Sequence, residues 1–448
     1  MSQAKAYGID FGTTNSAISV AWEGGSVSVI EINATSLIAD VLPSLAYVDR
    51  SSVSLAGAPA VNRFLVTGPL RTQCDRCDLV DRTVAGVTES ACRQYRAGSG
   101  CQDSRLISGL KGELSDPHIT HTHSWAIDRT WAELIAIVLS RLKSIADERT
   151  GVDVRRVVLG HPAVFAGAEG PDFQARQDLA KERLVEAGHA AGFQSVKLFP
   201  EPAAVVLDEV ADDGVVVAVD FGGGTFDCAV MRLDNDVASL VGLQGIAIGG
   251  EDFDRLLFEH FVAEEIGLNS KTTDGRRIFP AWFRRRLATL GGAKHLLSNP
   301  ETYMILEDLG DRSFGAIKEI LHGGQAYNFY RAVEMAKIEL SVTGQAQIRV
   351  TRRGLDVAID IDRRSFEELI APRLDQVFDR LDAALEQAEV SRDEVRLVFR
   401  TGGSSEIPAF ISRLRVALPN AELRALPVFT AVAHGMGVFA QEVWPDGR

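Results

Sequence analysis

Basic side chains are in short supply. The 448-residue chain carries 47 Lys+Arg against 61 Asp+Glu, a net charge of −14. An acidic surface of that size excludes the broad basic footprint that contacts with nucleic-acid phosphates demand. Long apolar runs are also missing. The longest uncharged stretch is 17 residues, Ala425 to Gln441, and Pro427, His434, Gly435 and Gly437 interrupt it, so it is a poor membrane span. The opening residues, MSQAKAYGIDFGTT, contain no apolar segment of the kind that directs secretion. The expectation is a soluble, cytoplasmic protein with neither nucleic acid nor membrane as partner. Five cysteines are too few for a disulfide scaffold in a chain of this length. Neither GxxxxGK[ST] nor GxGxxG occurs, which removes the commonest phosphate loops.

What is present is ordinary globular composition, 46% hydrophobic and 24% charged, which rules out wholesale disorder. At roughly 100–200 residues per domain, the length accommodates two to four units. The most informative feature is an internal repeat. YGIDFG (7–12) is followed by TTNSAISVAW, and VAVDFG (217–222) by GGTFDCAVM. Each copy is an apolar run ending in Asp, then a Gly/Thr-rich turn, then a second β-branched run. That pattern predicts a hairpin with a nearly bare tip. Two copies imply two similar lobes.

Strands and helices alternate around these hairpins. Trp131, Leu134, Ile135, Val138, Leu142 and Ile145 share one helical face. A strand is expected at 154–160, a helix at 173–191, and a strand followed by a helix over 197–207. Helices follow at about 251–266, 281–297 and 327–341, then a β pair near 346–361. A long helix spans 363–389, with a kink expected at Pro372. A strand at 395–400 then runs into TGGSSEIP. The pattern is α/β.

The backbone N–H groups of Gly12, Thr13 and Thr14, and of Gly222, Gly223, Gly224 and Thr225, could converge on an anion, because small residues let the backbone approach closely. Asp10 and Asp220 each precede a tip, and two carboxylates beside a polyphosphate suit a hydrated Mg²⁺. Two tight turns in a sheet protein is the plainer alternative; the duplication, with Asp in the same place each time, favours phosphate.

GIDFGTTNSAISV, VDFGGGTFD, GGEDFD (249–254) and FRTGGSSEIP (399–408) resemble the actin-like ATPase superfamily, and within it the nucleotide-binding domain of the 70-kDa heat-shock chaperones of DnaK type. The likeness covers nearly the whole chain. It implies two lobes, each built on a ribonuclease-H-like mixed sheet with flanking helices, and a nucleotide in the central cleft. Lobe I would comprise 1–213 plus 424–448, with a cysteine-bearing outer part at about 60–125. Lobe II would comprise 214–423, with an enlarged outer part at about 255–330.

Carried over residue by residue, the resemblance implies that Thr13 and Thr14 contact phosphates and that Asp10 holds Mg²⁺ through water. Pro162 and Pro202 match two connecting segments, and Glu201 a carboxylate near the metal and the attacking water. Asp220, Thr225 and Asp227 match the group that positions that water and receives its proton. Glu334, Lys337 and Ser341 match the adenosine-contacting helix, and Gly402, Gly403 and Ser404 the second wall. Lys111, in LISGLKGEL, is the candidate catalytic lysine, offsetting γ-phosphate charge; a solvated surface lysine is the alternative.

Three positions depart from the pattern. Ile338 and Glu406 stand where the family has arginines that sandwich adenine, and Phe429 where it tends to have Asp. Ile338 is left to pack on the base, and the loss of two guanidinium stacks, about 0.5–2 kcal/mol each, implies weaker and less adenine-selective binding. The family's interdomain linker, peptide-binding domain and lid have no counterpart before Arg448, as in the short YegD-like members, so the client or protein partner is unnamed.

Cys74, Cys77, Cys92 and Cys101 form a candidate Cys₄ zinc site. The second pair is spaced by eight residues, which is not a common knuckle; His118, His121 and His123 could replace one ligand. Unconnected thiols and a redox pair are the alternatives. Cys228 reads as a small core residue. The function expected is slow, Mg²⁺-dependent ATP hydrolysis used as a conformational switch. A non-hydrolysing nucleotide-sensing scaffold and a small-molecule kinase of the same superfold are its rivals, and GGEDFD speaks against the kinase.

Overall fold

The structure, a computed structural model, describes the chain except residues 1–2, 33–39, 50–52, 68–78, 85–86, 93–103, 120, 125–126, 169, 208–212, 236, 274, 291, 294–295, 297–301, 303–304, 306–314, 323–325, 353–354, 429 and 446–448.

The repeat seen in the sequence is a repeat of sheet topology. In the first half, β1 (Ala4–Phe11) turns back antiparallel into β2 (Asn15–Trp22), and β3 (Val27–Val29) and β4 (Leu42–Pro43) both pair with β2. On the other side β5 (Arg156–His161) pairs parallel to β1, and β6 (Ser195–Pro200) parallel to β5. In the second half, β7 (Gly214–Phe221), β8 (Phe226–Asp234) and β9 (Val237–Ile246) form an antiparallel meander. β10 (Val395–Thr401) and β11 (Glu422–Ala425) extend it in parallel. The strand order is therefore 3-2-1-5-6 in one sheet and 9-8-7-10-11 in the other, with the same directions at each step. β1 and β7, the strands that end in Asp-Phe, are central in their sheets. Their burial on both faces explains why they read as unbroken apolar runs rather than alternating ones.

Helices cover the faces. They are α1 (Trp131–Thr150), α2 (Phe173–Ala190), α3 (Glu201–Leu207), α4 (Gly250–Leu257), α5 (Ala326–Val342), α6 (Arg363–Gln387), α7 (Pro408–Ala417) and α8 (Ala431–Val443), with further short helical segments between α4 and α5. Local signals set their ends. Thr130 and Glu133 close a capping box at the start of α1, and Gly151, with φ 71°, ends it. Asp362 caps α6, accepting from the Ser365 N–H at 2.9 Å.

The expected helix at 251–266 is interrupted: a π-helical turn at Phe258–Val262 separates α4 from a last turn at Ala263–Glu265. α6 runs through Pro372 as one helix of 25 residues. The β pair expected near 346–361 is the hairpin of Gln345–Arg352 with Leu355–Asp362.

Three cores result. One joins Phe221, Phe226 and Phe253 of the second sheet and α4 to Phe366 of α6 and Phe410 of α7, through edge-on ring contacts centred on Phe221. The second lies between the first sheet, α1 and α2. The third places α3 and α8 between the two sheets, with Ala204 and Met436 meeting Ala218, Ala229 and Phe399. That seam packs the parts bearing the two hairpins against each other, and their tips emerge side by side. Cys228 is a buried core residue, as expected.

Candidate functional site: a two-hairpin cleft

The two tips have the same length. Phe11 pairs with Ser16 and Phe221 with Phe226, leaving four residues in each turn. They touch: a Cβ built on Gly224 would lie 2.6 Å from Thr13 Oγ1, and one on Gly223 would lie 2.6 Å from Thr14 Oγ1. A side chain at either glycine would have to displace the threonine hydroxyl opposite. The duplication is not symmetrical in its chemistry, however. Asp220 pairs across its hairpin with Asp227, whereas Asp10 pairs with Ala17. The second lobe alone supplies the extra carboxylate.

Beside the tips is a buried charge cluster. Lys111 Nζ donates to Glu201 Oε1 at 2.5 Å, and the two residues are 6% and 3% exposed. The surface-lysine alternative is thereby corrected: a short helical turn, Leu110–Glu113, tucks Lys111 inward. Burial by itself would lower the Lys111 pKa, but Glu201 and Asp10 hold it above the ordinary value. On the carboxylates burial acts upward as well. Burial, reinforced by Glu201, raises Asp10 well above the usual range, pushes Asp220 up to about 8 and Asp227 up to about 7. Asp10, Glu201, Asp220 and Asp227 thus face a single ammonium group.

Asp227 is held chiefly through one oxygen, with a side-chain hydrogen bond from Thr225 also acting on its carboxyl. Its Oδ1 accepts from the N–H groups of Ala163 at 2.7 Å and Val164 at 3.4 Å, while Oδ2 is buried with no hydrogen-bond partner. A cavity of about 400 Å³ opens alongside, lined in part by Thr13, Lys111, Thr225, Glu251, Asp252 and Arg255. Glu251 and Asp254, from GGEDFD, are also raised by burial, to about 7 and about 6.

The expected adenosine walls meet over the start of α4. Lys337 Nζ donates to Gly250 O at 3.0 Å and to Asp254 Oδ2 at 2.8 Å, and Ser404 Oγ donates to Gly222 O at 2.8 Å. Gly402 has φ 83°, and a Cβ there would lie 2.4 Å from Phe221 O, so the turn after β10 can fold over the second tip only with glycine. Gly403 begins the helical turn Gly403–Glu406 on that wall, and Gly12 opens the first tip. Glu334 pairs with Arg331 at 2.6 Å, and the Ser341 hydroxyl turns back on Lys337 O at 3.5 Å. Ile338 is 43% exposed beside an equally exposed Met335. Glu406 is paired with Arg400 at 2.6 Å.

The sequence reading did not assign His161, Glu251, Asp254, Arg255 or Arg400. Glu251, Asp254 and Arg400 stand inside motifs quoted for other reasons, Arg255 directly follows GGEDFD, and a polar residue at an apolar strand end (His161, Arg400) was the available signal. Cys74, Cys77, Cys101 and Phe429 lie outside the described residues; of Cys92 only the backbone strand Val87–Cys92 is described.

This geometry agrees with the comparisons. The Hsp70 protein family model matches residues 6–305 and 325–445. The chain belongs to the Hsp70 family. Its fold is accordingly the actin-like ATPase fold that the duplicated sheets display. The chaperone protein DnaK of Thermus thermophilus is 28% identical over 451 residues, a match covering 98% of this chain and 60% of that relative. The Hsp70-family chain described here thus spans about 60% of the length of the curated relative it matches. Among the described residues no helix is long and apolar enough to cross a membrane.

The arrangement fits a hydrated divalent ion. Four carboxylates lie near Lys111, two of them (Asp10 and Asp220) at the bases of the tips; burial first, and then the neighbouring carboxylates, raise the pKa values of Asp10 and Asp220. Among the described residues no three acidic, histidine or cysteine groups converge to ligate an ion directly.

Proposed function

We propose that this Hsp70-family chain binds Mg·ATP between its two hairpin tips and hydrolyses it slowly, the nucleotide state serving as a conformational switch for an as yet unnamed client or partner protein. One observation carries this reading: two duplicate bare tips, Thr13 against Gly224 and Thr14 against Gly223, meet beside the Lys111–Glu201 pair and the half-satisfied Asp227. Tip N–H groups would hold the phosphates, and Lys111 would offset charge on the γ-phosphate. Asp10 and Asp220 would hold Mg²⁺ through water; bound there, the ion would neutralise phosphate charge. Asp227, its Oδ1 pinned, presents Oδ2 as the acceptor for the proton of the attacking water, with Thr225 and Glu201 orienting that water. Ile338 and Met335 offer an apolar platform to the base on the same helix as Lys337, and Ser404 belongs to the wall opposite.

A second reading, a nucleotide-sensing scaffold without useful turnover, is favoured by Glu406. It is tied to Arg400 where a guanidinium would otherwise face the base, so nucleoside selectivity rests on little more than apolar contact. One experiment separates the two. Calorimetric titration with ATP, ADP and GTP in the presence of Mg²⁺, followed by phosphate release, should show binding and slow turnover. Binding without turnover supports the scaffold, and no heat at millimolar nucleotide removes both.

A further inference from the structure

The last residue of β5, His161, is 8% exposed and has a polar ring where the strand around it is apolar. Its Nδ1 stands 2.8 Å from the carbonyl oxygen of Pro162. A carbonyl oxygen only accepts, so Nδ1 carries the proton and donates. The ring lies nearly parallel to Phe165, with centroids 6.3 Å apart and planes at 17°. Burial, with Lys111 and Lys181 nearby, holds its pKa down to about 4, so the imidazole is neutral.

The bond gains meaning from the other end of the same peptide unit. The carbonyl that accepts from His161 belongs to the Pro162–Ala163 peptide, and the N–H of that peptide is the Ala163 N–H that donates to Asp227 Oδ1 at 2.7 Å. A planar peptide gripped at both ends cannot rotate about its flanking bonds without breaking one grip. Pro162 and Phe165 both line the cleft cavity, whereas His161 does not. The histidine lies behind the wall.

We propose that His161 is a positioning residue for Asp227: by donating to the Pro162 carbonyl, it fixes the Pro162–Ala163 peptide so that the Ala163 N–H occupies Oδ1 and Oδ2 is left to face the reacting water. This rests on the hydrolytic reading above. His161 touches neither nucleotide nor water, and acts through one peptide plane. Misplacing a reacting group by a fraction of an ångström to one ångström costs about 10- to 100-fold in rate, with little effect on substrate binding.

The test uses the full chain in three variants. Asn places an amide N–H close to where Nδ1 sits, Gln places it near Nε2, and Phe keeps the ring but has no donor. We expect His161→Phe and His161→Gln to lower kcat for phosphate release about 10-fold or more, with KM for Mg·ATP within about twofold, and His161→Asn to recover most of kcat. Amide hydrogen exchange at Ala163 should accelerate in the Phe and Gln variants and return toward wild type in Asn. Equal kcat in all four proteins, or equal impairment of Asn, Gln and Phe, overturns the proposal. If the Phe variant does not fold, the Asn–Gln pair decides. If wild type itself releases no phosphate, the hydrolytic reading fails, and Ala163 exchange still reports on the peptide. An unchanged exchange rate in the Gln and Phe variants overturns the positioning role independently.

Discussion

Lys111 and Glu201 lie 90 positions apart in the sequence and 2.5 Å apart in the fold, both largely buried beside the cleft that Lys111 lines. Glu201 begins α3 and follows β6 directly; Lys111 comes from an isolated turn between two outer segments. Removing one partner of a buried pair leaves the other uncompensated, at a cost of about 3–5 kcal/mol. Lys111→Met should therefore destabilise the protein by that order in chemical denaturation without nucleotide. The double variant Lys111→Met/Glu201→Gln should recover much of the loss. A single variant as stable as wild type would show that the pair is not closed in solution.

Asp227→Asn keeps the shape of the side chain and its contact with the Ala163 N–H region, but removes the proton acceptor. Nucleotide affinity measured by calorimetry should stay close to wild type while phosphate release falls about 10²-fold or more. Equal, slow release by both proteins would favour the scaffold.

Acid should weaken the fold through His161. In the unfolded chain a histidine takes up its proton near pH 6.5, whereas the buried ring resists until about pH 4. Between those values the unfolded state binds the extra proton, so stability is fully present above about pH 6.5 and falls as pH drops toward 4. The full loss is on the order of 3 kcal/mol at 1.36 kcal/mol per pH unit. Unfolding free energies of wild type and His161→Asn at pH 7 and pH 5 should diverge by part of that amount, with the variant less pH-sensitive. Parallel behaviour would place a different group behind the acid response.

Gly402→Ala puts a side chain on a left-handed backbone position and a Cβ 2.4 Å from Phe221 O. It should cost about 1–3 kcal/mol or more. Gly344→Ala, where a Cβ would meet nothing within 4 Å, is the control and should stay within about 1 kcal/mol of wild type.

The cysteine cluster gives the last prediction. Four thiolates close a tetrahedral zinc site and leave no position for a reactive water. Protein purified without a metal-binding tag should contain one zinc per chain by elemental analysis, and Cys74→Ser/Cys77→Ser should lose it while keeping nucleotide binding. Substoichiometric zinc that does not fall in the variant returns these thiols to an unconnected set.

The sequence by itself determined the duplicated hairpins, the α/β order and the family, because those depend on local pattern. An apolar run, an Asp and a bare turn are written in consecutive residues, and their repetition at 10 and 220 predicts two equivalent sheets before any contact is known. The ends of α1 and α6 are set just as locally, through Thr130, Gly151 and Asp362, although these caps are seen in the structure. Only the tertiary structure decided the electrostatics. Lys111 in LKGEL reads as a catalytic lysine or as a surface one, and it is buried because Glu201 and Asp10, from other elements, hold its charge in place of water. His161 and Arg400 read as incidental polar residues at strand ends. One reaches the Pro162 carbonyl and the other Glu406, and neither relation has a sequence period to betray it. The π-helical turn at Phe258–Val262 likewise leaves the 3.6-residue pattern looking intact on both sides. Periodicity records which face of an element is apolar. Which charges then share a low-dielectric space is set by how the two sheets dock across Ala204 and Met436, a relation between residues more than 200 positions apart.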